Sequence, residues 1–215
     1  LNISTFSTAL NLGSDVHNAA EELCKGNDVK VSDESKPYVD HVKALIDEIK
    51  KNYPHVEEPE KKIREPLRKL GFDSDLIFMG FIDAVFRNDE GDYLIVDWKT
   101  SKSDSSGSTY RQQLSVYKKA FGVRENIPED KIKVAIGYCG LRPTINTGVI
   151  DRSLDDKQPA NSAYGTVSKR IEKLLSWIKD PEVFFSDFLS KPQDELIWRS
   201  VAEEYEKESK WFERD

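Results

Sequence analysis

The feature that most constrains the fold is a pair of strand-like runs joined by a short polar turn. The runs Leu76–Arg87 and Tyr93–Trp98 are rich in β-branched and aromatic side chains, and the sequence Asn-Asp-Glu-Gly-Asp lies between them at 88–92. Apolar runs separated by a short glycine-containing segment are typical of a β-hairpin. The sequence therefore predicts that these runs pair antiparallel, with the turn centred near Glu90.

Two aspartates lie at equal distances from this turn. Asp83 and Asp97 should face each other across the hairpin, with Cβ atoms roughly 5 Å apart. Strand side chains alternate faces, so Lys99 should share a face with Asp97 while Trp98 points the other way. Facing carboxylates destabilise an apolar hairpin unless a cation lies between them, and their oxygens suit Mg²⁺ or Mn²⁺. Lys99 could then reach a scissile phosphate or its attacking water.

An alternative is that these charges face solvent on the exposed side of a two-faced sheet. A single aspartate in a strand is most often such a solvent-facing charge. The combination here is more specific, because Gly-x-x-Asp, a hairpin and Asp-x-Lys-Thr follow one another and are flanked by Ile95, Val96 and Trp98. This combination favours a metal site over solvent-facing charges.

The rest of the chain predicts further helices and strands. Helices are expected over residues 10–25, 37–52, 110–121, 164–179, 181–189 and 195–212, and strands over 131–139 and 145–150. The first helix should open at Gly13, with Ser14 or Asp15 as its cap. The segment His55–Leu70 contains three prolines and predicts a loop with a short edge strand near Glu60–Arg64. The sum is an α+β fold: a small, mixed, mostly antiparallel sheet flanked by helices, with extra helices at the C-terminal end.

The net charge restricts how the chain can bind nucleic acid. The net charge is −7 over 215 residues, which disfavours a generic nucleic-acid coat but allows a local basic groove. Basic residues expected near the hairpin acids are Lys102, Arg111, Lys118 and Lys119, and those before the hairpin are Lys61, Lys62, Arg64, Arg68 and Lys69. The ordinary alternative for such a run of charge is a solvated surface.

The sequence contains none of the usual signals for membrane insertion or secretion. There is no apolar run long enough to span a membrane, and no basic segment followed by an apolar one at the start. Cys24 and Cys139 match no metal spacing, which favours a reduced, cytoplasmic setting over a disulfide between them. The chain begins Leu-Asn-Ile and its only methionine is Met79, so we expect one domain excised from a longer protein.

Four motifs occur in a fixed order along the first half of the chain. They are Leu12-Gly-Ser-Asp-Val-His17, Gly80-Phe-Ile-Asp83, Asp97-Trp-Lys-Thr100 and Gln113-Leu-Ser-Val-Tyr117. Together they resemble the successive motifs of the RecB-type branch of the PD-(D/E)xK nucleases. The resemblance implies one nuclease domain over 1–215, with a restriction-endonuclease-like core at about 10–151 and a C-terminal helical extension at about 160–215.

The resemblance also implies roles for the hairpin residues. In this family the motif histidine and both acids bind one or two Mg²⁺ or Mn²⁺ ions, and by position these are His17, Asp83 and Asp97. The backbone carbonyl of Trp98 is implied as a further metal ligand. Lys99 is implied to assist the attacking water.

Three more residues acquire roles only through the resemblance. Gln113 and Tyr117 lie four apart, on one face of a helix, and the family pair supports the lysine and contacts DNA. Core packing is the alternative for Tyr117. Glu60 is the nearest match to the family's first-strand glutamate, although other acids surround it. Some relatives hold an iron–sulfur cluster with four cysteines, which the two cysteines here cannot supply.

The expected activity is metal-dependent hydrolysis of DNA phosphodiester bonds. Relatives of this branch often act as exonucleases on single strands or ends beside a helicase module in repair and recombination, and no membrane partner is expected. A dimeric restriction or junction-resolving endonuclease is one alternative, which a mass measurement in solution would reveal. A non-catalytic DNA-binding or structural module is the other, and its melting temperature should not respond to Mg²⁺ or Mn²⁺. The helix carrying His17 and the Gln-x-x-x-Tyr pair favour the RecB branch.

Overall fold

The computed structural model describes residues 3–101, 107–140, 144–146 and 163–189. Its helices are α1 (Ile3–Cys24), α2 (Lys36–Lys50), α3 (Gly107–Glu125), α4 (Ala163–Lys179) and α5 (Pro181–Leu189), with short 3₁₀ turns at Leu67–Leu70 and Glu129–Lys131. Its strands are β1 (His55–Val56), β2 (Lys61–Pro66), β3 (Ile77–Ile82), β4 (Ala84–Arg87), β5 (Tyr93–Lys99), β6 (Ile132–Tyr138) and β7 (Thr144–Asn146).

The strands form one five-stranded sheet and one two-stranded ribbon. The sheet has the order β1-β4-β5-β6-β7, and the ribbon pairs β2 with β3. Within the sheet β5 and β6 run parallel, while the other neighbours are antiparallel. This confirms the predicted α+β class with a small, mixed, mostly antiparallel sheet flanked by helices.

The hairpin is present, but its first arm differs from the prediction. β4 and β5 pair antiparallel with Ala84 opposite Val96, whereas the preceding strand β3 pairs with β2. The prediction of one continuous strand over 76–87 was therefore wrong. The chain changes partner at Asp83, because β2 offers β3 a full set of backbone hydrogen bonds that the hairpin cannot reach.

The segment before the hairpin is more ordered than predicted. β2 has six residues and ends at Pro66, and the strand pairs with β3 along its whole length. Pro54 and Pro59 lie outside the strands, and a proline at the end of a strand removes no essential ladder hydrogen bond. The three prolines therefore delimit the strands rather than prevent them.

Helix α1 corrects a second prediction. It is continuous through Gly13, so Ser14 and Asp15 lie inside the helix and neither caps it. A glycine within a helix destabilises it by about 1 kcal/mol, which the buried face of α1, including Val16 and Ala20, offsets. Asp15 instead accepts a hydrogen bond from the Ser35 hydroxyl at 3.3 Å.

The core is formed by helices that pack against the two faces of the sheet. On one side, buried side chains of α1 and α2 form a cluster with residues that include Phe86, Trp98 and Cys139. On the other side, α3 packs against β6 and the ribbon, with Leu114 and Phe121 buried. The tight approach of the Trp98 ring to Gly137 leaves no room for a Cβ atom there. The central strand β5 is therefore enclosed, with Leu94 to Trp98 all buried.

The chain contacts divide into two compact units, Leu1–Ser168 and Lys169–Asp215. In the second unit the Trp177 indole packs edge-on against Phe184, with 5.3 Å between centroids, and donates a hydrogen bond to Asp187 at 2.7 Å. The strand residues 147–150 and the helix at 195–212 lie outside the described residues, so the predicted domain limits stay predictions. In the described ranges, every helix is too short or too polar to cross a bilayer.

Candidate active site

The candidate site begins at the point where the chain changes strand partner. Asp83 lies between β3 and β4, and the pairing of Ala84 with Val96 makes Asp97 its neighbour across the hairpin. The Asp83 carboxylate accepts a hydrogen bond from the backbone N–H of Trp98, with Oδ2 2.8 Å from the nitrogen. This contact fixes the Asp83 carboxylate beside the Asp97–Trp98 peptide.

Asp97 and Lys99 form the buried part of the site. Asp97 is 3% exposed on the central strand, and its Oδ2 lies 2.6 Å from the Lys99 Nζ. Within the described structure this oxygen is buried without a hydrogen bond of acceptable angle, so the contact with Lys99 is an ion pair only. Burial raises the pKa of Asp97 to about 6, with Lys99 opposing the rise and Asp83 adding to it.

Tyr110 is a neighbour of Lys99 that the sequence did not predict. The Lys99 Nζ lies 4.8 Å from the centroid of the Tyr110 ring, a cation–π distance. Tyr110 belongs to α3, eleven positions along the chain from Lys99. No periodicity links the two residues, so only the three-dimensional fold reveals the contact.

His17, on helix α1, approaches the Asp83 carboxylate. Its Nδ1 lies 3.4 Å from the Asp83 Oδ2, and its side chain is 31% exposed. The hydrogen bond to Asp83 raises the pKa of His17 above its ordinary value, although burial opposes the rise. The structure thus brings His17 and Asp83 together from elements distant in sequence.

Glu60 completes a group of possible metal ligands. One ligand atom each from His17, Glu60 and Asp83 lie within 4.8 Å of one another, and this is the one such group in the described ranges. Glu60 has a φ of 51°, and its backbone N–H donates to the Asp83 carbonyl at 3.1 Å. A non-glycine residue in this left-handed region costs about 1 kcal/mol, which that backbone bond helps to offset. Burial, and then the Asp83 charge, raise the pKa of Glu60.

Gln113 and Tyr117 face the ribbon from α3. The Gln113 side-chain amide donates to the Tyr117 hydroxyl at 3.3 Å, and the Tyr117 ring packs edge-on against Phe78 at 6.2 Å. A Cβ atom at Gly80 would lie 2.6 Å from the Tyr117 ring. The glycine of the Gly-x-x-Asp motif therefore makes room for Tyr117. No described hydrogen bond joins the pair to Lys99.

The predicted DNA-contacting cations differ in availability. Lys118 is only 7% exposed, and Lys119 forms a 2.6 Å ion pair with Glu129. Arg111 is half-buried on α3, and Lys102 lies outside the described residues. Arg111 is thus the described member of this group with neither deep burial nor a carboxylate partner.

The residues present fit a divalent cation. His17, Glu60 and Asp83 supply three possible donors in one group. Asp97 lies outside that group, and its buried Oδ2 is paired with Lys99. Carboxylate oxygens are the donors that Mg²⁺ and Mn²⁺ prefer, and the neutral imidazole of a histidine is a common metal ligand. The raised pKa values of Glu60 and Asp97 have the same causes: burial reduces the hydration of each carboxylate, and the charge of Asp83 lies nearby.

The central hairpin of the mixed sheet carries two neighbouring acids and a lysine, the arrangement expected of a metal-dependent nuclease. The family model of the PD-(D/E)XK nuclease superfamily matches residues 2–183, and the chain belongs to this superfamily. Its fold is the restriction-endonuclease-like fold of that group. No curated protein sequence matches the chain. Members of the superfamily are generally nucleases that use divalent metal ions, and DNA is the substrate that membership implies.

Proposed function

We propose that this chain is a Mg²⁺- or Mn²⁺-dependent deoxyribonuclease of the RecB-type branch. The observation that carries the proposal is the Asp97 carboxylate, buried at 3% exposure with an unsatisfied oxygen, beside Lys99 and next to Asp83. A carboxylate that is buried with only an ion pair at one oxygen destabilises a fold, because the pair offsets only part of the lost hydration. The presence of this acid is explained if it binds a cation that takes part in phosphodiester hydrolysis.

The metal shell in this proposal draws on both parts of the site. Asp83 and Asp97 bind one or two ions, with His17, the backbone carbonyl of Trp98 and Glu60 as further ligands. The bound ion neutralises the charge that develops on the phosphate and polarises the P–O bond. The close group of His17, Glu60 and Asp83 supports Glu60 as a ligand rather than one of several surface acids.

Lys99 is the proposed catalytic partner of the acids. Its ammonium is held between the Asp97 carboxylate at 2.6 Å and the Tyr110 ring at 4.8 Å. A cation held in this way orients the attacking water through a hydrogen bond and stabilises the negative charge of the pentacovalent phosphate. Gln113 and Tyr117 are proposed to contact DNA from α3.

The branch assignment rests on two features. A histidine on a helix approaches the hairpin acid, and a Gln-x-x-x-Tyr pair follows on α3. We accordingly propose an exonuclease that acts on single strands or ends, beside a helicase module in repair or recombination.

The test is incubation of the purified chain with end-labelled single- and double-stranded DNA, with Mg²⁺, Mn²⁺ or a chelator. We expect cleavage only with the metals, and products shortened from an end. Asp97→Asn protein, purified identically, is the control for a contaminating nuclease and should be inactive. Equal cleavage by the two proteins, or none under any metal, would contradict the proposal.

A further inference from the structure

The ribbon of β2 and β3 has one face that the rest of the described fold leaves uncovered. Of seven large hydrophobic side chains exposed in the described residues, three lie in β3 (Ile77 at 45%, Met79 at 59% and Phe81 at 49%), and a fourth, Leu76 at 47%, directly precedes it. Strand alternation puts Ile77, Met79 and Phe81 on one face and turns Ile82 inward. The exposed row is therefore a contiguous apolar stripe.

A row of cations runs beside this stripe. In the ribbon register Lys62 lies opposite Phe81 and Arg64 opposite Met79, and both cations are exposed. The Lys62 Nζ lies 5.9 Å from the centroid of the Phe81 ring. The two rows together form a surface of alternating positive and apolar side chains, which we call the ribbon face.

The cations of the ribbon face lack the partners that their neighbours have. Lys61 pairs with Glu125, Arg68 with Asp75 and Lys69 with Glu65. For Lys62 and Arg64 the described residues provide no carboxylate within ion-pair distance. Their positive charge is thus available to an external anion.

The ribbon face also leads directly to the candidate site. β2 begins one residue after Glu60, and β3 ends one residue before Asp83. The ribbon is six residues long, which corresponds to about 20 Å of extended strand. A polymer lying along it would have one end at the acids.

From this placement we propose that the ribbon face binds the single-stranded DNA that runs to or from the cleavage site, with bases on Phe81 and Met79 and phosphates on Lys62 and Arg64. The inference rests on the proposed nuclease function. Single-strand binding surfaces combine aromatic stacking with a line of cations. A duplex hides the faces of its bases, so an apolar stripe favours unpaired nucleotides.

A protein partner is the other occupant that an apolar face could take. Protein interfaces are depleted of lysine at their centre, whereas here Lys62 lies directly over an aromatic ring of the stripe. The charge pattern and the continuity with the acids both favour nucleic acid.

The stacking part of the inference is tested by equilibrium binding in a chelator, which prevents cleavage. Fluorescence anisotropy of the full chain is measured with a labelled oligothymidine and with an abasic strand of equal length. Wild type should prefer oligothymidine, and the double variant Phe81→Ala/Met79→Ala should lose that preference, with affinity for oligothymidine lowered about 5- to 100-fold. Leu174→Ala/Ile178→Ala, which removes exposed apolar groups of the second unit, should bind like wild type.

The charge part is tested by salt dependence. Lys62→Gln/Arg64→Gln should reduce the slope of log Kd against log salt by about 1.4, the amount expected for two released counterions on single-stranded DNA. Lys43→Gln/Lys51→Gln, at exposed positions on α2 and just after its end, makes the same change in net charge and should leave the slope as in wild type. Melting temperatures of all variants verify that each is folded.

The outcomes separate this inference from the nuclease proposal. Metal-dependent cleavage together with wild-type binding by the ribbon variants would overturn the inference and leave the nuclease. A wild-type dimer that Phe81→Ala dissolves, with unchanged oligonucleotide binding, would overturn it in favour of a protein interface. Base-dependent binding that the variants lose, without cleavage under any metal, would support the ribbon face and refute the nuclease.

Discussion

The two halves of the candidate site are built in different ways. The inner half, Asp97 and Lys99, lies on the enclosed strand β5, and Asp97 is 3% exposed. The outer half, His17, Glu60 and Asp83, comes from one helix and from positions next to strand ends, and each of its residues is half-buried. The inner half is fixed by the sheet, whereas the outer half exists only because three distant segments converge.

This difference suggests a division of labour. Low exposure strengthens electrostatic interactions, so the inner half is suited to act on the charge of the phosphate. The outer half has more access to solvent and is suited to exchange the cation, which Asp97 of the inner half also binds in the proposed site. The two halves meet where the Asp83 carboxylate accepts the Trp98 N–H.

The largest effect is expected from Asp97→Asn in the inner half. Cleavage should fall by about 10³-fold or more, because a charged ligand beside the phosphate is lost. The metal-free variant should melt at or above the wild-type temperature near pH 7, because burial and the Asp83 charge outweigh the ion pair with Lys99 and raise the pKa of Asp97 to about 6. Steady-state cleavage rates and thermal unfolding measure the two effects.

The control for this variant is Asp89→Asn. Asp89 lies in the turn of the same hairpin and pairs with the exposed His55. It should cleave like wild type. If Asp97→Asn also retains wild-type cleavage, the inner half has no catalytic role.

Lys99→Met is expected to have the second largest effect. It removes the ammonium beside Asp97 but no proposed metal ligand, so the rate at saturating metal should fall about 10²- to 10⁴-fold. The increase in melting temperature on adding Mn²⁺ should remain. Loss of that increase would mean that Lys99 acts through the metal site, and the division between the halves would fail.

Glu60→Gln tests the outer half. If Glu60 is a ligand, the variant should bind Mn²⁺ at least about tenfold more weakly, and high metal concentration should restore most of the rate. Calorimetric titration measures the affinity. The exposed Glu58, two residues earlier, offers a matched control in Glu58→Gln, and equal metal affinities of the two variants would remove Glu60 from the shell.

The dependence of stability on pH should be a smaller effect, and the three raised pKa values should all act in the same direction. His17, Glu60 and Asp97 all have raised pKa values, so the folded protein holds protons that the unfolded chain releases. The contribution of these groups to the stability of the metal-free protein should therefore fall as the pH rises, for Asp97 and Glu60 above about 4 and for His17 above about 6.5. A cation replaces those protons, so the increase in melting temperature with Mn²⁺ should be greater near pH 7.5 than near pH 5.5. The opposite order would contradict the account.

The smallest effect concerns the support of the outer half. Gly80→Ala would put a Cβ atom 2.6 Å from the Tyr117 ring, so the free energy of unfolding should fall by about 1 kcal/mol. Gly13→Ala adds its methyl to open space within helix α1 and should instead stabilise by about 0.5–1 kcal/mol. Denaturant unfolding compares the two, and a Gly80→Ala protein as stable as wild type would exclude the close approach.

The inner half was within reach of sequence reasoning because its geometry is local. Alternation along one strand relates Asp97 to Lys99, and the symmetry of the hairpin about its turn relates Asp97 to Asp83. The strands of the sheet also followed from local patterns, since each strand-like run is apolar and bounded by turn residues. Only the parallel pairing of β5 with β6 requires the whole fold.

The outer half could not be predicted in the same way. The change of partner at Asp83 depends on β2, which three prolines had obscured. Helix α1 passes through Gly13 because burial outweighs local propensity, which no cap pattern reveals. Glu60 stood among several acids, and only the convergence with His17 and Asp83 distinguishes it.

The central claim is that both halves share one cation site. Crystals of the chain soaked in Mn²⁺, measured for anomalous scattering, test it most directly. We predict an anomalous peak at about 2.0–2.3 Å from carboxylate oxygens of both Asp83 and Asp97, with His17 or Glu60 in the same shell. Manganese bound only at surface acids, or a peak that contacts neither aspartate, would contradict the account.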